Sequence, residues 1–188
     1  MLTSIGIFCG SSAGINPVYL QAANSIGAFF AKNSITIVYG GGKVGLMGAI
    51  ADAAIQNDGQ VIGVMPQSLV DKEIAHTGLT KLYVVKDMHE RKNMMAGLSH
   101  AFLTLPGGAG TLEEIFEQWT WAQLGLHQKP CAFLNVNDYF SPLLAMINRM
   151  AEEGFLKAEY VDMLIVEERP DLILERFNRY QAPKHKWQ

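Results

Sequence analysis

The chain has 188 residues, of which 49% are hydrophobic and 18% are charged, and its formal net charge is −3. This length fits one domain with a sizeable core, and the balance of apolar and charged residues excludes a disordered chain. The weakly acidic charge gives no electrostatic reason to expect nucleic acid or a membrane surface as a partner.

Short apolar runs alternate with helical patterns along the whole chain. Most runs are continuous rather than alternating in polarity, as expected for strands that are covered on both faces. The predicted strands are residues 5–9, 36–39, 61–65, 81–85, 101–105, 131–135 and 163–166. The predicted helices are residues 17–32, 46–57, 88–98, 111–124, 141–153 and 170–180.

This alternation predicts a single-domain, Rossmann-like α/β fold, in which a doubly wound parallel sheet has helices on both faces. The domain is expected to span residues 1–182, followed by a polar tail at 183–188. In such sheets ligands bind at the carboxyl ends of the strands. Four loops that directly follow strands, at residues 10–14, 40–45, 66–78 and 106–110, are therefore expected to converge on one edge.

The cysteine and histidine patterns indicate neither a disulfide framework nor a metal site. Cys9 and Cys131 lie in apolar runs, which predicts buried thiols in a reducing compartment, the cytoplasm. His89-Glu90 begins like a zinc-binding motif, but Asn93 stands where the second histidine would be. No metal and no cofactor are expected, and no apolar run reaches the ~18 residues of a membrane span.

The first glycine-rich loop, residues 40–45, matches the pattern GxGxxG between a strand and a helix. Backbone N–H groups of such a loop can approach an anion, so Gly41 and Gly42, together with Ser11 in the preceding loop, are possible phosphate or ribose contacts. The alternative is a tight turn with no ligand. A dinucleotide site is not favoured because no acidic residue ends the next strand, and Val44 excludes a Walker A loop.

The second glycine-rich loop, Pro106-Gly107-Gly108-Ala109-Gly110-Thr111, gives a stronger signal because it leads straight into a helix. Its N–H groups, the threonine hydroxyl and the helix dipole can form a cradle for an anion. Thr111 and Glu114 also match a capping box, which by itself would explain the glutamate. Glu113 lies about 100° further round the helix and is not expected to face the same ligand.

Two cations, Arg91 and Lys92, lie near the start of a predicted helix, where the helix dipole disfavours positive charge. Pairing with a phosphate or a carboxylate would explain this position. Ser12, in contrast, matches a nucleophile elbow only in its letters, because the following helix begins later, at Asn16-Pro17. A serine hydrolase is therefore not favoured.

Together these residues resemble the LONELY GUY family of cytokinin riboside 5′-monophosphate phosphoribohydrolases over nearly the whole chain. The matching motifs are Cys9-Gly10-Ser11, Tyr39-Gly40-Gly41-Gly42, Gly45-Leu46-Met47-Gly48, Glu73-x-x-His76, Met88-x-x-Arg91-Lys92, Pro106-Gly107-Gly108-x-Gly110-Thr111-x-x-Glu114 and Thr120-Trp-Ala-Gln-Leu-Gly125. Related proteins often have the label lysine decarboxylase, but nothing here resembles a pyridoxal-phosphate lysine site.

The resemblance implies hydrolysis of the N-glycosidic bond of a purine nucleoside 5′-monophosphate, with adenine or an N6-prenylated adenine as the base. It implies catalytic roles for Arg91 and Glu114 and a homodimer whose interface includes Trp119 or Trp121, unless these side chains are core. The implied substrate contacts are Glu73, Lys92, Gly108, Ala109, Gly110, Thr111 and Thr120, with Gly107 as a possible phosphate contact. A non-catalytic carrier of a nucleotide or nucleotide-like cofactor is the alternative function.

Overall fold

The computed structural model describes residues 2–72 and 74–185, and within them seven strands form one sheet. The strands are β1 (Ser4–Phe8), β2 (Thr36–Tyr39), β3 (Val61–Pro66), β4 (Lys81–Val85), β5 (Phe102–Thr104), β6 (Cys131–Leu134) and β7 (Leu164–Glu167). The helices are α1 (Pro17–Lys32), α2 (Gly45–Ile55), α3 (Gln67–Val70), α4 (Met88–Leu98), α5 (Ala109–Gln123), α6 (Ser141–Glu152), α7 (Ala158–Asp162) and α8 (Pro170–Arg179).

All strand pairs are parallel, and the strand order is β4-β3-β2-β1-β5-β6-β7. The predicted doubly wound α/β fold is therefore confirmed, with strand bounds that agree to within two residues. Two short helices, α3 and α7, were not predicted, because a helix of one turn has too few residues to show a helical period. Among the described residues, no helix is long and apolar enough to cross a bilayer.

Helices cover the sheet on both faces, which explains the continuous apolar runs of the strands. Buried side chains of α1, α2 and α8 pack in one core cluster, and those of α4 to α7 pack in another. Along β1, Ile5 and Ile7 point into the first cluster and Phe8 into the second. A strand between two helix layers buries both of its faces, so every position favours an apolar residue.

The strand order places a crevice beside β1, whose neighbours in the sheet are β2 and β5. The chain winds outward in opposite directions from this strand, so the loops that follow β1 and β5 separate into different layers. They remain joined at their base, where Gly10 donates its N–H to the Pro106 carbonyl at 3.0 Å. The Leu46 N–H, at the start of α2, reaches the Gly10 carbonyl at 3.1 Å. The expected convergence of these loops is confirmed.

Candidate active site

A cavity of about 250 Å³ opens at the carboxyl ends of β1 and β2, beside the N-terminus of α5. Predicted site residues on the loop after β1, on α4 and on α5 meet here. They are Ser11, Arg91, Gly108, Gly110, Thr111 and Glu114. Further lining residues had no predicted role, namely Ile7, Cys9, Gly10, Gly40, Met47, Met88 and Glu113. Several of these residues belong to the motifs on which the family resemblance rests. An apolar side chain or a glycine, however, gives no chemical signal by itself.

An ion pair between Arg91 and Glu114 lies in this cavity. An Nη1 atom of Arg91 is 2.9 Å from Oε1 of Glu114, and the two side chains are only 12% and 11% exposed. Arg91 comes from the first turns of α4 and Glu114 from α5, so the pair joins two helices. The expectation that a carboxylate would explain this cation near a helix start is confirmed.

The backbone of two neighbouring strands fixes the guanidinium of Arg91. Its Nε donates to the carbonyl of Val64, within β3, at 3.1 Å. On the other side lies Gly40, where an added Cβ would stand 2.1 Å from an Nη2 atom. A side chain at position 40 would displace the arginine, and this steric limit explains the glycine better than a ligand contact does.

Burial controls the electrostatics of Glu114. It raises the pKa of the Glu114 carboxyl above its ordinary value, and the Arg91 guanidinium opposes this rise only in part. Cys9, which lines the same cavity, has its thiol pKa raised by burial and by the charge of Glu114, so it is a neutral thiol at physiological pH. A carboxylate in a poorly solvated site has the properties of a general base.

The start of helix α5 differs from the prediction. The helix begins at Ala109, its N-cap is Gly108, and no side chain caps it. Thr111 is therefore the third residue of the helix rather than its cap, and the capping-box explanation of Glu114 is wrong. The N–H groups of Ala109, Gly110 and Thr111 have no intrahelical acceptor, because they belong to the first turn. Here they stand beside the cavity.

The glycines at this helix start have no structural explanation within the protein. Cβ atoms added at Gly108 and Gly110 would meet no atom within 4 Å, and neither residue has a positive φ. At Gly107, in contrast, a Cβ would collide with the Thr111 side chain at 2.1 Å. Open space beside Gly108 and Gly110 is therefore space in which a ligand can approach the backbone.

Lys92 and Thr120 do not line this cavity. Lys92 is buried between two carboxylates of α5, Glu113 and Glu117, and its Nζ is 3.1 Å from Glu117 Oε1. Thr120 is exposed on α5, about three helical turns from the glycine loop. Glu113 lines the cavity margin as well as pairing with Lys92, so the expectation that it would face elsewhere is wrong.

The first glycine loop contributes less to the cavity than the second. Gly41 and Gly42 are buried beneath residues 74–76, because Gly41 accepts the His76 N–H at 2.9 Å and Gly42 forms an antiparallel bridge with Ala75. They do not line the cavity. Glu73, the predicted substrate contact in the same connection, lies outside the described residues.

A second cavity of about 320 Å³ lies on the other side of the loop after β1 and shares Gly10, Ser11 and Gly108 with the first. Gly107 lines this second cavity, together with Tyr19, Leu46 and Tyr139. Tyr139 was not predicted to have a role, because one tyrosine after an apolar strand gives no functional signal in a sequence.

The fold and the site define a Rossmann-like α/β protein in which a helix N-terminus without a side-chain cap lies beside a buried Arg–Glu pair. The comparisons with known proteins identify it further. A family model described as "Possible lysine decarboxylase" matches residues 47–177. A cytokinin riboside 5′-monophosphate phosphoribohydrolase of Rhodococcoides fascians is 51% identical over 154 residues, which are 81% of this chain and 78% of the relative. One of Arabidopsis thaliana is 42% identical over 181 residues, 96% of this chain and 84% of the relative.

The chain belongs to the LONELY GUY family of cytokinin riboside 5′-monophosphate phosphoribohydrolases. Among solved structures, the molybdenum cofactor binding protein of Rippkaea orientalis superposes with a TM-score of 0.72 at 20% identity, covering 95% of this chain and 97% of that one. At this identity the likeness shows a shared fold.

Proposed function

We propose that this protein hydrolyses the N-glycosidic bond of a purine nucleoside 5′-monophosphate and releases the free base and ribose 5-phosphate. The observation on which this depends is the buried Arg91–Glu114 pair beside the open N-terminus of α5. The names of the curated relatives support the same reaction. A carrier without catalysis, the alternative, has no need of a poorly solvated carboxylate held against an arginine.

The 5′-phosphate binds at the start of α5 in this proposal. The free N–H groups of Ala109, Gly110 and Thr111 and the positive end of the helix dipole favour an anion there. The missing side chains at Gly108 and Gly110 leave room for it. Binding energy from this remote group orients the glycosidic bond at Glu114, one helical turn further along the same helix.

The oxygen of a water molecule adds to the anomeric carbon as the bond to the base breaks, and the departing base takes up a proton from solvent water. The ionised Glu114 stabilises the positive charge that develops on the sugar and accepts a proton from the attacking water. Arg91 holds this carboxylate and opposes the rise in its pKa that burial causes. Lys92 and Thr120 remain proposed substrate contacts on the family resemblance, as does Glu73.

A comparison of AMP with adenosine tests the function. The phosphate site predicts that purified protein releases adenine from AMP far faster than from adenosine, measured by chromatography of the free base. Glu114→Gln is the control for a contaminating nucleosidase. Equal rates on the two substrates would show that the helix start does not bind phosphate, and no release from any purine monophosphate would exclude the enzyme. N6-prenylated AMP in the same assay gives the base preference.

We also propose a homodimer that packs through α5. Trp119 is buried and donates its indole N–H to the Tyr160 carbonyl at 3.0 Å, so it belongs to the core. Trp121 is only half-buried and, with the exposed Thr120, is available for an interface. Sedimentation equilibrium at micromolar protein should give twice the chain mass, and a monomer would contradict the proposal. Two buried free cysteines support a cytoplasmic location.

A further inference from the structure

Tyr139 is held in place by an unusual backbone rather than by core packing. Its side chain is 41% exposed, and it follows a short 3₁₀ turn, Val136–Asp138. Asn137 and Asp138 have φ values of 52° and 55°, in the left-handed region that L residues seldom adopt. Asn and Asp adopt this region more readily than other L residues, but two in succession shortly before a helix form an uncommon turn.

The hydroxyl of Tyr139 binds the second glycine loop. It donates a hydrogen bond of 2.6 Å to the carbonyl of Gly107. Its ring packs edge-on against Tyr19, with ring centres 5.7 Å apart. Asn135 fixes the turn Val136–Asp138 that leads to Tyr139, because its Oδ1 accepts the Phe140 N–H across this turn at 2.7 Å.

With the hydrogen bond from Tyr139, the carbonyls of three successive loop residues each accept a hydrogen bond from another part of the protein. The Pro106 carbonyl accepts the Gly10 N–H at 3.0 Å, and the Gly108 carbonyl accepts the Leu112 N–H at 3.2 Å. The Gly107 carbonyl accepts the Tyr139 hydroxyl. The peptide bonds are trans, so the N–H of Gly108 points opposite to the Gly107 carbonyl and therefore away from Tyr139.

The peptide between Gly107 and Gly108 is the one most easily turned over. Glycine has no Cβ to restrict φ and ψ, and here it stands on both sides of the same peptide plane. A reversed peptide would present a carbonyl oxygen in place of an N–H, and an anion would be repelled rather than bound.

We propose that Tyr139 is a positioning residue for phosphate binding, whose hydroxyl holds the Gly107–Gly108 peptide with its N–H toward the anion. This rests on the proposed function, since the anion is the 5′-phosphate of the substrate. Tyr139 acts through Gly107 and has no part in the bond cleavage at Glu114. Its effect is therefore on affinity for the phosphate and not on the chemical step.

Tyr139→Phe removes the hydroxyl and keeps the ring. The variant should raise KM for AMP and the Kd for ribose 5-phosphate, measured by calorimetry, by about 3- to 10-fold, the usual effect of one hydrogen bond. kcat should stay within about twofold, and cleavage of adenosine should not change. Tyr160→Phe is the matched control, because it deletes a buried hydroxyl that has no partner among the described residues.

Unchanged affinity for ribose 5-phosphate in Tyr139→Phe would overturn the proposal. An equal loss on AMP and adenosine would overturn it too, because the hydroxyl would then act on the base or on the loop as a whole. If the wild-type protein binds ribose 5-phosphate in a Tyr139-dependent way but cleaves no nucleotide, the proposed function fails and the positioning role stands. If it binds no ribose 5-phosphate, the positioning role fails, and adenine release from AMP decides the proposed function separately.

Discussion

The substitution Glu114→Gln separates the charge of this side chain from its shape. The residue is 9% exposed and pairs with Arg91 at 2.9 Å. Burial raises the pKa of its carboxyl despite the arginine, so the folded protein accommodates an uncharged group here at least as well as a carboxylate. Glutamine also keeps an oxygen acceptor for Arg91. We therefore expect the free energy of unfolding at neutral pH to change by less than about 1 kcal/mol.

The effect on turnover should be much larger, because glutamine can neither accept a proton nor stabilise a cationic sugar. We expect kcat for AMP to fall by ~10²–10⁴, which corresponds to about 3–5 kcal/mol of transition-state stabilisation. Adenine release at saturating AMP measures kcat, and urea unfolding measures stability. Glu152→Gln is the control, since Glu152 makes only an exposed pair with Arg149 and should change neither quantity.

A folded Glu114→Gln protein with near-normal turnover would refute the catalytic assignment. The stability measurement checks the electrostatic argument independently. A loss of more than about 3 kcal/mol would mean that the ionised pair stabilises the fold, contrary to the direction of the pKa shift.

Gly110→Ala adds a Cβ where the protein leaves open space, so the free energy of unfolding should be equal or higher by up to about 1 kcal/mol. KM for AMP should rise, because the Cβ occupies the space through which the phosphate approaches the backbone. Gly97→Ala, at an equally open position on α4, is its control, and a rise in KM with both variants would remove the phosphate interpretation. Arg91→Ala should lower kcat/KM by ~10² or more and move the acid limb of the residual activity to higher pH, because Arg91 lowers the pKa of Glu114; a pH–rate profile with an unmoved limb would contradict this coupling. Burial, reinforced by Lys129, lowers the pKa of His127 from 6.5 to about 4. His127 is therefore protonated more readily in the unfolded chain than in the folded protein. The free energy of unfolding gains about 2 kcal/mol from this difference, after allowance for partial exposure of the side chain. This contribution is present above pH 6.5 and is lost as the pH falls toward 4. His127→Asn keeps an acceptor for the Lys129 backbone N–H. Its free energy of unfolding, measured by urea titration at several pH values, should lose that part of the pH dependence. An unchanged slope of this free energy against pH would refute the assignment.

Local patterns in the sequence determined most of the secondary structure of this protein. The continuous apolar run at residues 5–9 predicts a strand that is buried on both faces, and both faces of β1 do pack against helices. Asn16-Pro17 predicts the start of α1, and the asparagine side chain does cap this helix by accepting the Val18 N–H at 3.1 Å. Such signals depend on neighbouring residues only. The same reasoning fails at α5, because Thr111 resembles a cap while Gly108, with no capping side chain, is the residue that precedes the helix.

Only the tertiary structure decided which of the predicted site residues meet. Arg91 and Lys92 are adjacent and alike in charge, yet Arg91 lines the cavity and pairs with Glu114, whereas Lys92 does not line it and pairs with Glu113 and Glu117. Successive residues of a helix point about 100° apart, so their partners depend on where α5 packs against α4. Tyr139 reaches Gly107 because β6 lies beside β5 in the sheet, and strand order is a property of the whole chain that no local pattern determines.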